Sequence, residues 1–233
     1  MALGELAKRL DLNASTAHHL LATLKGRGLV AQDERTKTYR IGYRLVSLVN
    51  SFLSGTDLYP AGIGPVETLR DHSGETSYLT VFQGNETSTI ITLTGARPIQ
   101  ARRMHRPGQS NLHSTATGKL MLAHLPAEEA AALLAGRELI SFTPNTIVQL
   151  AEMNSELADI RQRGYALDRE EDYVGVECVA FPVYDASGTC VAGVSVSYPT
   201  ASPERAEELT RLVAEAAESI SANLGASPAR SIA

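Results

Sequence analysis

The segment with the densest potential chemistry is residues 112–119, which reads Leu-His-Ser-Thr-Ala-Thr-Gly-Lys. A histidine beside hydroxyls suggests nucleophilic catalysis, but His113 and Ser114 are adjacent and no acid is placed to orient the imidazole. A structural interpretation makes Ser114 or Thr115 the N-cap of a helix that follows. We favour a third interpretation, in which the backbone N–H groups at this helix N-terminus bind a small carboxylate.

Small polar residues on two strand-like segments form a second candidate set. Cys178 begins one segment, and Ser195 and Ser197 alternate along another, so the two serines share one face. Such groups are typical of a pocket lining. A nucleophilic triad of Cys178, Glu177 and Lys119 is disfavoured, because neighbouring residues on a strand point to opposite faces.

Residues 168–172 hold four carboxylates in five positions. Such a run could bind a metal ion, but its usual meaning is a solvated loop, and that is our prediction. Cys178 and Cys190 have neither zinc-ligand spacing nor a disulfide framework. The sequence therefore predicts no catalytic residue, no metal site and no cofactor.

Residues 3–44 have the pattern of a winged helix-turn-helix: a helix over 3–10, a polar break, a second helix over 15–24 and a basic hairpin. Hydroxyls and N–H groups at the start of the second helix suit phosphate contacts. Polar residues further along it, and basic residues of the hairpin, suit base edges or backbone. The predicted DNA-contact residues are Asn13, Ala14, Ser15, Thr16, His18, His19, Lys25, Lys37 and Arg40.

The charge distribution supports this assignment. Residues 1–44 carry eight Lys or Arg against four Asp or Glu, whereas the whole chain has a net charge of −5. A basic head on an acidic body indicates two domains with different partners, and duplex DNA suits the head. No apolar run approaches the about 18 residues of a membrane span, and no signal peptide opens the chain. We expect a cytoplasmic protein that does not contact a membrane.

The remaining elements must position these groups. A helical period over 43–58 predicts a linker helix, and the Pro and Gly residues over 60–65 are expected to break it before a second helix that ends near residue 73. A strand is expected over 99–105, and a helix that Thr146 caps is expected to run to Arg163. Strands that are grouped rather than alternating with helices predict an α+β fold with an antiparallel sheet.

Six segments, in this order and spacing, resemble the IclR family of bacterial transcriptional regulators, and the resemblance covers nearly the whole chain. They are residues 15–24, 39–42, 112–119, 142–147, 160–166 and 175–180. The resemblance implies an N-terminal winged helix-turn-helix and a C-terminal, GAF-like effector-binding domain. It also implies homodimers, commonly paired into homotetramers, on palindromic operators. Family effectors are usually small organic acids or aromatic catabolites.

The resemblance further implies residue roles and domain limits. The amides of Ala116 and Thr117 would receive the effector's carboxylate. The effector pocket would be lined by Ile99, Ser110, Ala116, Thr117, Asp168, Val176, Cys178, Ser195 and Ser197. The expected domains are a DNA-binding domain over 1–44 without the family's usual first helix, a linker helix over 45–58, an effector domain over 59–225 and a disordered tail over 226–233.

The function these observations predict is a ligand-responsive regulator, with repression the expected direction. Two alternatives stay open. One is a small-molecule hydrolase that uses Cys178 or His113, and the other is a ligand sensor that has lost DNA binding.

Overall fold

The computed structural model describes residues 1–55, 57–83, 86–96, 111–136, 138–200 and 203–227, and it divides into two compact units, 1–57 and 58–233. The first unit contains three helices and a two-stranded antiparallel hairpin among its described residues. Its elements are α1 Leu3–Arg9, α2 Ala14–Gly26, β1 Val30–Gln32, β2 Tyr39–Ile41 and α3 Arg44–Gly55.

Local sequence explains where α2 begins and how the hairpin joins it. Asn13 adopts an extended backbone and its side chain accepts a hydrogen bond from the Thr16 amide, 2.8 Å away, so it caps the helix. At the other end of the hairpin, the Gly42 amide donates to the Leu29 carbonyl oxygen at 2.9 Å. A Cβ at Gly42 would collide with the Gly28 backbone, so this close approach requires glycine.

The second unit is a five-stranded antiparallel sheet with helices on both faces. The strand order is β4-β3-β7-β6-β5. The elements are α4 Leu58–Ser73, β3 Thr76–Gln83, β4 Glu86–Leu93, α5 Ala116–His124, α6 Ala127–Ala135, α7 Leu150–Arg163, β5 Ala166–Arg169, β6 Val176–Tyr184, β7 Cys190–Pro199 and α8 Pro203–Asn223.

The alternation of side chains along the strands divides the apolar core in two. One face, which includes Leu79, Val179 and Val196, packs against α4 and α8. The other face, which includes Ala166 and Ala180, packs against α5, α6 and α7. The described residues therefore contain the grouped strands and antiparallel sheet expected of an α+β domain. None of the described helices is long and apolar enough to cross a membrane.

The predicted break at residues 60–65 is wrong, because these residues lie inside α4. A proline within a helix removes the hydrogen bond to the carbonyl four residues earlier, which for Pro65 is that of Ala61. The Nδ2 group of Asn223 in α8 donates to the Ala61 carbonyl oxygen at 2.9 Å and replaces the missing donor. Tertiary packing thus permits a helix that the local sequence disfavours.

The predicted start of the helix before residue 163 is also wrong. It begins at Leu150 rather than beside Thr146, and the Thr146 hydroxyl accepts from the amides of Phe142 and Thr143 instead. Its end at Gly164 is confirmed, and this glycine has the left-handed φ of +83°. The strand expected over 99–105 and residues 228–233 of the expected tail lie outside the described residues.

Candidate functional site

The predicted DNA-contact residues of the first unit all lie at the surface. Ala17 packs inward at 3% exposure, while the polar side chains that surround it on α2 are exposed. Leu20, an apolar residue of the same helix, is 51% exposed. The helix therefore presents an unobstructed face that begins at the Asn13 cap and includes Ser15, Thr16, His18 and His19.

Two of the predicted basic contacts are already engaged by one carboxylate. Lys25 Nζ lies 3.6 Å from Glu34 Oε1, and Lys37 Nζ lies 3.4 Å from Glu34 Oε2. The two lysines hold the pKa of Glu34 below its usual range through hydrogen bonds and charge. All three side chains are exposed, so these ion pairs contribute little stability. Glu34 instead reduces the positive potential that α2 and the wing offer to a phosphate backbone.

In the second unit, the strand register brings the separated pocket candidates together. Asp168 pairs with Cys178 across β5 and β6, and Cys178 pairs with Ser197 across β6 and β7. Residues directly opposite in a sheet share a face, so these three side chains form one cross-strand row. Cys178 Sγ lies 3.0 Å from Ser197 Oγ. Ser195, paired with Ala180, stands in the next row on the same face.

Two contacts establish the direction of α5 over this row. His124 at its end lies 3.1 Å from the Tyr184 hydroxyl, and a Cβ on Gly193 would lie 3.1 Å from Leu120 Cδ2. Four residues of an α-helix advance about 6 Å, close to the roughly 7 Å between alternate strand residues. Ala116, the first residue of α5, lies four residues before Leu120, and this spacing carries it toward the rows that contain Ser195 and Cys178; Ala116 belongs to the same packed cluster as Ala180 and Cys178.

The backbone at the start of α5 is held in a fixed geometry. The Thr115 hydroxyl accepts from the Gly118 amide at 3.2 Å, and the Thr115 carbonyl accepts from the Lys119 amide at 2.9 Å. First-turn N–H groups have no partner within their own helix, and the amides of Ala116 and Thr117 belong to this turn. A Cβ on Gly118 would strike the Leu112 backbone, so only glycine lets the preceding turn fold this tightly against α5.

The arrangement therefore gathers many of the residues predicted for an effector pocket. Ala116 and Thr117 are 1% and 2% exposed at the helix start, and Asp168, Cys178, Ser195 and Ser197 lie on the sheet face that α5 covers. Val176 belongs to the same side of β6, two residues before Cys178. The candidates Ile99 and Ser110 lie outside the described residues.

The prediction of a solvated acidic loop at residues 168–172 is wrong. Asp168, Glu171 and Asp172 are 2%, 4% and 6% exposed. The loop folds back on itself, since Asp168 Oδ1 accepts from the amides of Glu171 at 2.7 Å and Asp172 at 3.3 Å. No group of three or more metal-ligating side chains is arranged to hold a metal ion within the ranges the structure describes.

A fully buried cation explains why these acids can enter the interior. Lys119, which has no exposed surface, places its Nζ 2.5 Å from Glu171 Oε1 and 3.4 Å from Glu156 Oε1. Arg163 adds a 2.8 Å contact to Glu156. Although burial opposes it, the charges of Lys119 and Arg163 hold the pKa of Glu156 below its usual range. Burial raises the pKa of Glu171 despite the nearby lysine.

Hydroxyl groups tie the same loop to the segment before α7. The Thr143 hydroxyl donates to the Glu170 carbonyl at 2.7 Å, and the Thr146 hydroxyl donates to the Glu171 carbonyl at 2.6 Å. Ser114, beside the start of α5, donates to Asp172 Oδ1 at 3.0 Å. Sequence reasoning missed this network, because its members are separated by 25 to 58 positions.

His113 has a structural environment rather than that of a catalytic base. Its Nε2 lies 2.9 Å from the Ile140 carbonyl oxygen, and its ring stacks on Phe142. Burial lowers the pKa of His113. Its neighbour Ser114 is bonded to Asp172 and not to the imidazole. Lys119 and Glu177 do not form the triad considered for Cys178, since Lys119 contacts Glu156 and Glu171.

A groove of about 480 Å³ lies on the opposite face of β5 and β6, beside α8. Its floor includes the stacked rings of Tyr165 and Phe181, together with Leu167. These residues alternate with Ala166 and Ala180, so most of the groove lies across the sheet from the candidate effector face, although Asp168 is also among its lining residues.

Comparisons with known proteins agree with this architecture. Residues 1–34 match the IclR helix-turn-helix domain, and residues 50–222 match the C-terminal domain of bacterial IclR transcriptional regulators. The chain is 34% identical to the HTH-type transcriptional repressor AllR of Klebsiella pneumoniae, covering 97% of this chain and 84% of that protein. It is 31% identical to the acetate operon repressor of Salmonella typhimurium, covering 97% and 83%.

A solved structure gives the same result. The crystal structure of the Thermotoga maritima IclR matches with a TM-score of 0.72 at 33% identity, covering 97% of this chain and 91% of that one. The family match spans both units, the winged helix-turn-helix and the mixed sheet domain, and the hydrolase alternative is set aside because members of this family are regulators. The chain belongs to the IclR family, whose members are DNA-binding transcriptional regulators with an effector-binding C-terminal domain and not enzymes.

Proposed function

We propose that this regulator is a repressor controlled by a small carboxylate, which binds at the N-terminus of α5. The observation that supports this site most strongly is the convergence of a buried helix start with a row of small polar side chains. Ala116 begins α5 above the sheet face on which Cys178, Ser195 and Ser197 stand. The positive end of a helix favours an anion, and the hydroxyl and thiol groups can bond its remaining polar atoms.

The DNA contacts proposed for the first unit use the exposed face of α2 and the wing. The N-terminal amides and hydroxyls at Ser15 and Thr16 suit phosphate oxygens, and His18 and His19 suit the major groove. Lys37 and Arg40 on the hairpin add phosphate contacts. Because bacterial DNA lies in the cytoplasm, we place the regulator there.

We further propose that the regulator acts as a homodimer, or a pair of dimers, on a palindromic operator. The linker helix α3 exposes a run of apolar residues that includes Val46 at 55%, Leu48 at 48% and Val49 at 53%. Ile41 and Tyr43, just before it, are 77% and 83% exposed. A second copy of this segment would bury that surface. Two recognition helices about 34 Å apart would then read successive major grooves.

Repression is the proposed direction because two relatives, AllR and the acetate operon regulator, are named as repressors. Effector binding would change the spacing of the paired recognition helices, and a coupling of about 1–3 kcal/mol between the two sites is sufficient.

The site is tested by a thermal-shift screen of small carboxylates against their neutral amides, followed by titration of the strongest binder. Cys178→Ala and Ser197→Ala should each weaken binding by about tenfold or more, because a polar atom of the carboxylate loses its partner. Cys190→Ala is the matched control, since this cysteine lies at the opposite end of β7, paired with Tyr184. Equal losses in all three variants would overturn the proposed site.

The DNA half is tested by fluorescence anisotropy with the regulator's own upstream region. Binding should weaken steeply with salt, because phosphate contacts release counterions. Absence of binding at low salt would favour the sensor that has lost DNA binding. Saturating carboxylate should change operator affinity at fixed salt, and a constant affinity would contradict effector control.

A further inference from the structure

Asp168 occupies an unusual place in the candidate effector site. Its side chain is 2% exposed, and it faces the same way as Cys178 and Ser197 in one cross-strand row. Both of its hydrogen bonds within the described residues, from the Glu171 and Asp172 amides, end on Oδ1. The second oxygen, Oδ2, is therefore the one available to a molecule bound against the row.

The cations described beside this loop contact carboxylates other than Asp168. Among the described side chains, Lys119 is the cation buried beside this loop; it contacts Glu171 and Glu156, and Arg163 also pairs with Glu156. No ion pair among the described side chains reaches Asp168. Among the described residues, several titratable and charged groups lie near the Asp168 loop: Lys119 and His113 from α5 and the turn before it, Glu171 and Asp172 from the loop itself, Cys178 from β6, and Glu156 and Arg163 from α7.

The burial and the surrounding charges determine how Asp168 is protonated before any ligand is bound. Burial, together with the negative charges of Glu171 and Asp172, raises the pKa of Asp168 to about 7, against the opposing hydrogen bond from the Glu171 amide and the charge of Lys119. Near neutral pH this carboxyl is therefore divided between its charged and neutral forms.

We propose that a carboxylate effector enters this site together with one proton, which Asp168 holds. This inference rests on the proposed carboxylate site. An incoming carboxylate adds a second negative charge beside a buried one, and burial together with like-charge repulsion opposes the ionisation of both groups. Asp168 takes its proton from the solvent, and the resulting O–H at Oδ2 donates a hydrogen bond to the effector. Asp168 thereby selects monoanionic carboxylates and makes their binding depend on pH.

The expected result follows from proton linkage. Above the pKa of the free site, each pH unit weakens binding up to tenfold, so the Kd should rise about tenfold between pH 6 and pH 8. In Asp168→Asn, whose amide keeps an Oδ1 acceptor and an Nδ2 donor, the Kd should be nearly independent of pH over this range. Asp159→Asn, an exposed change on α7, is the matched control and should retain the wild-type dependence.

The probes are acetate, pyruvate and benzoate, each compared with its amide, titrated into the full-length protein by calorimetry. Repeating the titration in buffers of different ionisation enthalpy gives the number of protons taken up per ligand bound. We expect close to one proton at pH 8 and close to zero at pH 6. An infrared carboxyl titration of the ligand-free protein, compared with Asp168→Asn, measures the protonation of Asp168 without any ligand.

The outcomes separate the two proposals. If a probe binds with equal affinity at pH 6 and pH 8 and takes up no proton, the proton-linked mechanism is overturned while the carboxylate site stands. If none of the three acids binds at either pH but the infrared band of Asp168 titrates near 7, the buried carboxyl is supported and the carboxylate effector class is refuted. If Asp168 titrates below pH 5 in the ligand-free protein, the inference fails whatever binds.

Discussion

Asp168→Asn should make the effector domain more stable at pH 8 than the unchanged chain, and the advantage should shrink at lower pH. In the folded protein this buried carboxyl has a pKa raised to about 7, against 3.8 for the ordinary group. The folded state therefore holds the proton more tightly than the unfolded chain does. As the pH rises from about 4 to about 7, that preference is lost and the unfolding free energy falls.

The magnitude follows from the two pKa values. Proton linkage gives a penalty for Asp168 of about 1.7 kcal/mol at pH 5 and about 4 kcal/mol at pH 8, relative to a carboxyl that never ionises. Asparagine imitates the neutral form, since its Oδ1 can still accept from the Glu171 and Asp172 amides. The stability difference between the two chains should thus grow by about 2.5 kcal/mol between pH 5 and pH 8.

Urea unfolding at fixed ionic strength measures this difference. The chain has no tryptophan, and six of its eight tyrosines lie in the second unit, so near-ultraviolet circular dichroism reports mainly on the domain that contains Asp168. Asp159→Asn, on the exposed side of α7, controls for the loss of one carboxylate. A stability difference that stays constant from pH 5 to pH 8, or an Asp168→Asn protein that is less stable at pH 8, would refute the reasoning.

Three further changes test other contacts. Glu34→Gln removes the carboxylate that contacts Lys25 and Lys37. Operator binding should therefore tighten several-fold at low salt. The slope of log K against log salt concentration, measured by anisotropy across a salt series, should steepen by up to about 0.9 for each lysine released. Lys119→Met leaves buried carboxylates without their cation and should lower the free energy of unfolding, measured in urea, by about 3–5 kcal/mol. The double variant Lys119→Met/Glu171→Gln should recover part of this loss. An unchanged urea midpoint in Lys119→Met would show that the contact does not stabilise the domain. Asn223→Ala leaves the Ala61 carbonyl without its donor and should destabilise by about 1–3 kcal/mol in the same assay, whereas Asn223→Asp should recover none of this.

Local signals were sufficient for several elements. The hydroxyl at Thr115 and the glycine at position 164 mark the start of α5 and the end of α7, because capping depends on neighbours within one helical turn. The alternation of Ser195 and Ser197 placed them on one face, as the register shows. Each of these inferences used only the fixed periods of helix and strand.

Contacts between distant residues explain what local signals missed. Pro65 lies within a helix because Asn223, more than 150 positions away, supplies a donor to the backbone oxygen that the proline leaves unpaired. The acidic run at 168–172 is buried because Lys119 meets Glu171 from another element. A run of charged residues, judged from the sequence alone, predicts a solvent-exposed loop. Only the fold shows that its neutralising partner lies opposite.

The buried ion pair of Lys119 and Glu171 has a role beyond stabilising the fold. A buried ion pair is often no more stable than apolar residues of the same volume, so the Lys119–Glu171 contact is not explained by the strength of the fold alone. It holds the Asp168 loop against the first turns of α5, where the proposed site needs a carboxyl that can change its charge. An apolar replacement would pack well but would leave no group to respond to an arriving anion. The network thus keeps Asp168 buried, with a raised pKa and ready to accept a proton, which is the condition that proton-linked binding requires.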